Sequence, residues 1–340
     1  MRVLLTGASG FIGKHLAAKL LDGNTDLAVY LRQRKRLPHY LLGKVNILEG
    51  DLCNWPKTEQ LLNNYIQYGR VDCVVHMAAS LDFYGKRDQL FKSNTEATVN
   101  LFKWSIANEV KKFIFTSTIE AHGPVFNQSL PAAESDENQP VSAYGLSKLE
   151  AEKAIIDLGQ KAGSPAVIIL RLGNVYGPGS NFLIPTIAKS IVKKTELMRS
   201  RFLWNDFLYN PVFVSDVADI IYKLVITTAC NSGRYNICGK EIVKLEDIYE
   251  KTAEGLSMHL PESRKNLVST NCFLVRRKLL QLLGFCDLPV YFMAGGDQRT
   301  NRIFSIEKAE KELEYNPRVT LDEGIKKTLQ WCKEEKFLRG

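Results

Sequence analysis

An α/β fold, a doubly wound parallel sheet followed by a smaller and mostly helical C-terminal region, is predicted by three features of the 340-residue chain. Short apolar runs alternate with helical patterns through the first half, a glycine-rich turn follows the first run directly, and the strand rhythm stops near residue 175. The runs are Val3–Leu5, Leu27–Leu31, Val45–Leu48, Cys73–His76, Phe113–Phe115 and Val167–Leu170. Each is apolar without alternation, as a strand covered on both faces must be. Between them Phe11–Leu21, Lys57–Gln67, Arg87–Asn108 and Ala143–Lys161 repeat apolar residues at three and four, the helical period. A right-handed strand–helix–strand succession then builds an open sheet over residues 1–175. Residues 176–340 form the second region, with helices expected at Ile184–Lys194, Leu245–Glu254, Phe273–Leu283, Ile306–Leu313 and Leu321–Glu335. The boundary falls at Tyr176-Gly177-Pro178-Gly179, and stretches near Pro211–Val214 and Arg234–Ile237 are candidates to return strands to the main sheet.

Composition narrows the function classes. Lys and Arg number 45 against 37 Asp and Glu, a net charge of +8, and 45% of residues are hydrophobic. That is an ordinary globular balance, which excludes disordered, collagenous and coiled-coil chains. There is no run of about 18 apolar residues, and Met1-Arg2 leads straight into Val3–Leu5 and the glycines, so a cytoplasmic protein without a membrane span is expected. The seven cysteines are scattered with no CxxC pair, which predicts neither a disulfide framework nor a metal site. Basic residues cluster at Arg32–Arg36 and Arg276–Lys278 with no nucleic-acid module beside them. No nucleic-acid partner is expected, and the second cluster reads as a solvated face.

The turn is Thr6-Gly7-Ala8-Ser9-Gly10-Phe11-Ile12-Gly13. Gly7 suits a tight strand-to-helix turn, Gly10 a close backbone approach to a pyrophosphate, and Gly13 close packing of helix on sheet. The unpaired N–H groups and positive dipole end of the helix then face the phosphates. This is the turn of a dinucleotide-binding, Rossmann-type domain. The end of the second strand selects the cofactor, because an acidic residue there bonds a ribose 2′-hydroxyl and a basic one a 2′-phosphate. Here Leu27–Leu31 ends in Arg32, with Arg34, Lys35 and Arg36 behind it, which predicts NADP(H) in preference to NAD(H). Asp51 and Leu52, past the third strand, are placed to reach the adenine.

Tyr144 and Lys148 stand at i and i+4 on a predicted helix and share a face. An ammonium beside a phenol stabilises the phenolate, so Tyr144 is expected to have a depressed pKa and to act as acid or base, with Lys148 also holding the nicotinamide ribose. The fifth strand ends in Thr116-Ser117-Thr118, where a hydroxyl can hold a substrate oxygen as it changes between carbonyl and alcohol.

With these motifs the chain resembles the extended short-chain dehydrogenases/reductases, the NAD(P)-dependent epimerase/dehydratase type, over nearly its whole length. The resemblance also rests on His76-Met77-Ala78-Ala79, Asn94, Arg171-Leu172-Gly173-Asn174-Val175-Tyr176-Gly177-Pro178-Gly179, Val214-Ser215-Asp216-Val217-Ala218 and Phe304–Ala309 with Glu312-Leu313 and Asn316-Pro317. It implies Tyr144 as acid/base, Lys148 as its partner, Thr118 as the Ser/Thr position with Ser117 as the alternative, and Asn94 as part of a proton relay. It implies cofactor contacts from Ser9, Phe11, Ile12, Ala78, Ala79, Asn94, Asn174 and Val175 besides the glycines, Arg32, Asp51 and Leu52. A homodimer paired through Arg87–Asn108 and Ala143–Lys161 is implied as well.

Departures from the family pattern bear on the substrate. Dehydratases of the family carry Asp where this chain has Ile119, which cannot donate a proton, so a 4,6-dehydratase is not expected. Glu120 reads as a capped, solvated carboxylate and His122 as a packed histidine. Nucleotide-sugar enzymes carry a basic residue just before Val214–Ala218; here Trp204–Phe213 offers an apolar wall, while Arg201, Arg299 and Arg302 remain as a possible diphosphate clamp. Cys272–Leu283 reads as a packed amphipathic helix. The pattern is closest to the reductase and hydroxysteroid-dehydrogenase-like branch: an NADP(H)-dependent oxidoreductase moving a hydride to or from a carbonyl or alcohol carbon of a small or hydrophobic substrate. The alternatives are a nucleotide-sugar epimerase working by transient oxidation, and a non-catalytic NADP(H)-sensing protein.

Overall fold

The computed structural model describes residues 1–81, 86–125, 130–194, 207–228, 231–260 and 301–339. Its strands are β1 (Arg2–Thr6), β2 (Asp26–Leu31), β3 (Asn46–Glu49), β4 (Cys73–His76), β5 (Lys112–Thr118), β6 (Ala166–Leu172), β7 (Val175–Tyr176), β8 (Leu208–Tyr209), β9 (Val212–Phe213), β10 (Gly233–Ile237) and β11 (Val243–Lys244). Seven form one sheet in the order β10-β6-β5-β4-β1-β2-β3. Strand β1 lies parallel to β2 and to β4, Val3 beside Leu27 and Cys73, and β3 and β5 extend the parallel array on either side. The order reverses between β1 and β4, the switch point at which open α/β sheets bind ligands. All six runs read as strands are strands; β5 runs on to Thr118, burying the three hydroxyls of Thr116, Ser117 and Thr118. The Arg234–Ile237 stretch lies in β10 at the edge of this sheet, whereas Val212–Phe213 pairs in parallel with Val175–Tyr176.

The helices are α1 (Phe11–Asp22), α2 (Trp55–Ile66), α3 (Arg87–Phe91), α4 (Ala97–Ala107), α5 (Ala143–Gly159), α6 (Ile184–Lys193), α7 (Val214–Ile226), α8 (Leu245–Gly255), α9 (Glu307–Leu313) and α10 (Leu321–Glu334). The single helix expected over Arg87–Asn108 is interrupted: Lys92–Glu96 form a π turn that buries Asn94. A core of Leu4, Ala28, Val74, Phe102, Phe113, Phe115, Ile155 and Ile169 joins sheet to helices, with Phe102 edge-on to Phe113 at 5.0 Å between ring centroids. Among the described residues no helix is long and apolar enough to cross a membrane.

The chain divides into two compact units. The first takes in Met1–Gly123, Asn138–Arg171 and Ala218–Tyr235. Within it the buried Lys112 ammonium donates to the carbonyls of Leu224 and Val225, a cation on the negative end of α7. The second takes in Pro124–Glu137, Leu172–Val217 and Asn236–Gly340. There Asp216 accepts from Arg318 N (3.1 Å) and Val319 N (3.2 Å), so the carboxylate of Val214–Ala218 serves to tie down the segment after Asn316-Pro317. Residues Phe273–Leu283, expected as a helix, lie outside the described residues, as do Arg201, Arg299, Trp204–Asp206 and Arg276–Lys278.

Candidate active site

At the glycine turn the reasons for each glycine are geometric. Gly7 has φ +82°, and a Cβ there would stand 2.9 Å from the Ala78 nitrogen. A Cβ on Gly13 would stand 2.1 Å from the Gly7 carbonyl oxygen, so α1 starts where only glycine allows it. Gly10 is the N-cap of α1 and supplies no side-chain cap, which leaves the first-turn N–H groups for an anion. Such a cradle fits a dinucleotide pyrophosphate. Arg32 is exposed just past β2, followed by a short turn over Arg34–Arg36. The Arg34 backbone N–H donates to Glu49 Oε1 at 3.2 Å, so a carboxylate that sequence reasoning missed borders the basic turn. It comes from the end of β3, next to Leu31 in the sheet register. Asp51 is exposed and accepts from Cys53 N at 3.0 Å.

From the turn a chain of side-chain hydrogen bonds runs beneath the sheet's carboxyl edge. The Thr98 hydroxyl donates to the Asn94 carbonyl (2.7 Å), so toward His76 Nε2 (2.9 Å) it can only accept. Nε2 therefore carries the proton, and Nδ1 accepts from the Thr6 hydroxyl at 2.8 Å. Thr6 Oγ1 in turn accepts from the N–H groups of Met77 (3.2 Å) and Ala78 (3.1 Å). The buried imidazole is held neutral, its pKa pushed down to about 3 by burial and then by Lys148. Asn94 accepts from Ser80 N (2.7 Å) and donates to Ser80 O and to Ser147 Oγ (both 3.1 Å). Ser147 Oγ then donates to the Tyr144 carbonyl at 2.8 Å.

Helix α5 begins at a serine cap, Ser142 Oγ accepting from Gly145 N at 2.9 Å. A Cβ at Gly145 would stand 2.2 Å from the Glu120 carbonyl oxygen, so this glycine lets the first turn of α5 press on the short turn Ile119–Ala121. That turn is capped by Thr118, whose Oγ1 accepts from Glu120 N at 3.2 Å. The Thr118 and Tyr144 backbones are thus brought to one place by elements distant in sequence. Ser117 points elsewhere and donates to Glu152. Lys148 is buried, its Nζ 4.1 Å from the centroid of the Phe115 ring, which also stacks on His76 at 5.7 Å. Burial pulls the Lys148 ammonium down to about 7, against the upward pull of Glu152. Tyr144 departs from the expected depression: burial first and Glu120 second raise its phenol above the ordinary value. Glu120 itself is half-buried. His122 is packed as expected, 5% exposed with Nδ1 3.2 Å from the Gly123 carbonyl oxygen.

Sequence reasoning missed Glu152. It follows Tyr144 and Lys148 at the same spacing of four, and that repeat was the available signal. In the second unit Asn174 and Arg302 are buried and Val175 opens β7. Tyr209–Phe213, part of the expected apolar wall, are buried as well, leaving Phe207 and Leu208 partly exposed.

Fold and site together define an NAD(P)-dependent oxidoreductase of the extended short-chain type. Residues 3–238 match the profile of the NAD dependent epimerase/dehydratase family, and the chain belongs to that family. It is 28% identical over 355 residues to a decarboxylating sterol-4-alpha-carboxylate 3-dehydrogenase of Schizosaccharomyces pombe, spanning 99% of each chain. It is 28% identical to a UDP-glucose 4-epimerase of Vibrio cholerae, over 96% of this chain and 94% of that one. Among solved structures, the UDP-glucose 4-epimerase of Thermus thermophilus in complex with NAD shares the fold with TM-score 0.74 at 23% identity, over 100% of this chain and 99% of that one.

Proposed function

We propose that the protein is an NADP(H)-dependent reductase or dehydrogenase acting on a carbonyl or alcohol carbon of a small or hydrophobic substrate. The observation that carries this reading is the face of α5, where Tyr144 and the buried Lys148 stand one turn apart against the Thr118-capped turn. The nicotinamide, when bound, gives or accepts the hydride. Tyr144 gives or takes the proton on the substrate oxygen, and Thr118 holds that oxygen in line. Lys148, one helical turn further along α5, is assigned the role of the cation that offsets the upward pull of burial and Glu120 on the Tyr144 phenol. Asn94 holds the first turn of α5 through Ser147. Arg32 and its basic neighbours support the choice of NADP(H), and Ile119 supports a reaction without dehydration.

A homologous sterol carboxylate dehydrogenase and a relative described as 2-alkyl-3-oxoalkanoate reductase, 24% identical over 345 residues, support an apolar substrate with its oxygen beside a carboxylate-bearing carbon. A second reading, an epimerase with firmly held NAD, is favoured by Glu49 at the edge of the basic turn and by the epimerase relatives. The test is to denature purified protein, identify any released nucleotide, and titrate the emptied protein with NADPH, NADP, NADH and NAD. An empty site that prefers NADPH is expected; tightly retained NAD would overturn the choice in favour of the epimerase.

A further inference from the structure

One buried carboxylate in the first unit is held by more partners than packing requires. Glu152 is wholly buried on α5, and Arg171, equally buried on β6, grips it with Nε 3.0 Å from Oε1 and Nη2 2.7 Å from Oε2. Arg234 from β10 brings a second guanidinium, its Nε 3.0 Å from Oε2. Ser117 from β5 donates to Oε1. Three strands of the sheet thus converge on one residue of α5. That residue is third in the series Tyr144, Lys148, Glu152, which lies along one helical face.

Two guanidiniums on one carboxylate is not the cheapest way to fasten a helix to a sheet, because desolvating three charges costs more than an apolar contact of the same volume. The cluster carries a net charge of +1 and sits one helical turn from a buried ammonium. Any change in its balance is felt at Lys148, through an interior that screens weakly. We propose that Glu152, clamped by Arg171 and Arg234, is a positioning residue of the site: it fixes the register of α5 on the sheet and holds Lys148 in its charged form, with Arg234 limiting how strongly it does so. The charged and titratable groups around Lys148 are His76 from β4, Tyr144 and Glu152 from α5, Arg171 from β6, Arg234 from β10 and, through Tyr144, Glu120 from the turn after β5. His76 is neutral and Glu120 acts on Tyr144, which leaves the carboxylate–arginine cluster as the adjustable charge.

For the use made of Lys148 this rests on the oxidoreductase reading, but its test needs no substrate. The full chain is labelled with 13Cε-lysine, the Lys148 signal is assigned by its loss in Lys148→Arg, and its titration is followed. Glu152→Gln removes the negative charge and leaves both guanidiniums, so the Lys148 midpoint is expected to fall by about one pH unit or more, a tenfold loss of proton affinity. Arg234→Met removes a positive charge and is expected to move the midpoint upward. Glu152→Asp should return it toward the wild-type value. Shifts of the same sign in the Gln and Met variants, or no shift in either, would overturn the proposal, since a purely structural cluster has no reason to move one ammonium in opposite directions. If Glu152→Gln does not fold, Arg234→Met decides alone, because its side chain is 21% exposed and its removal is tolerable.

Discussion

In the proposed reaction the glycine turn and the α5 face have separate parts, and they are built of opposite materials. At the turn the chemistry belongs to the backbone: a positive φ at Gly7, a carbonyl under Gly13, free N–H groups at the start of α1, and exposed basic side chains after β2. On α5 it belongs to buried side chains, and each is held by a residue far away in the chain, Glu152 by Arg171 and Arg234, Ser147 by Asn94, and Lys148 against Phe115. A backbone site fails all at once when a single Cβ is added. A side-chain site fails by degrees, one protonation state or one hydrogen bond at a time.

The sharpest way to break the contrast is at Gly13. Gly13→Ala puts a methyl group 2.1 Å from the Gly7 carbonyl oxygen, a backbone contact that cannot swing aside. Cofactor affinity, read by nucleotide fluorescence, is expected to fall by about 10-fold to 100-fold or more, or the soluble yield to collapse, since overpacking costs about 1–3 kcal/mol and a backbone neighbour cannot give way. Tyr144→Phe tests the other side: turnover should drop about 10²–10⁴-fold while the cofactor dissociation constant stays near the wild-type value. Wild-type turnover in that variant would remove Tyr144 from the chemistry. Arg32→Asp should move the ratio of NADP to NAD affinity toward NAD by about 10-fold to 100-fold, the worth of a charge-assisted hydrogen bond. An unchanged ratio would hand the choice to Glu49.

A different kind of effect is a pH dependence of stability at His76. Its imidazole is held near 3 in the fold against an ordinary 6.5, so the unfolded chain takes up a proton first as the pH falls. Neutral His76 is retained without penalty above about 6.5, and between there and about 3 stability should decline by up to about 1.4 kcal/mol per pH unit from this group. Denaturant titrations from pH 7 to pH 4 check this, and His76→Leu should flatten that part of the slope.

The same contrast explains what could be read in advance. Period and apolarity located the six parallel strands, and the turn was legible because all its residues are neighbours. Tyr144 and Lys148 were legible because a helix turns their spacing into a shared face. The direction of the Tyr144 shift was not, because burial and the Glu120 charge arise only when the Ile119–Ala121 turn meets α5. Nor was the Glu152 cluster, whose partners lie 19 residues away at Arg171 and 35 away at Ser117, on strands that meet only in the sheet. Helical periodicity likewise passed over the π turn, since one extra residue barely disturbs an apolar pattern.

That extra residue sets two demands against each other. An α-helix advances about 100° per residue, so deleting any one position between Lys92 and Glu96 would restore regular winding and a better-bonded rod. It would also swing everything on the N-terminal side by that angle and carry Asn94 off the line joining Ser80 to Ser147. The length of this turn is therefore fixed by the same bonds that fix the identity of Asn94.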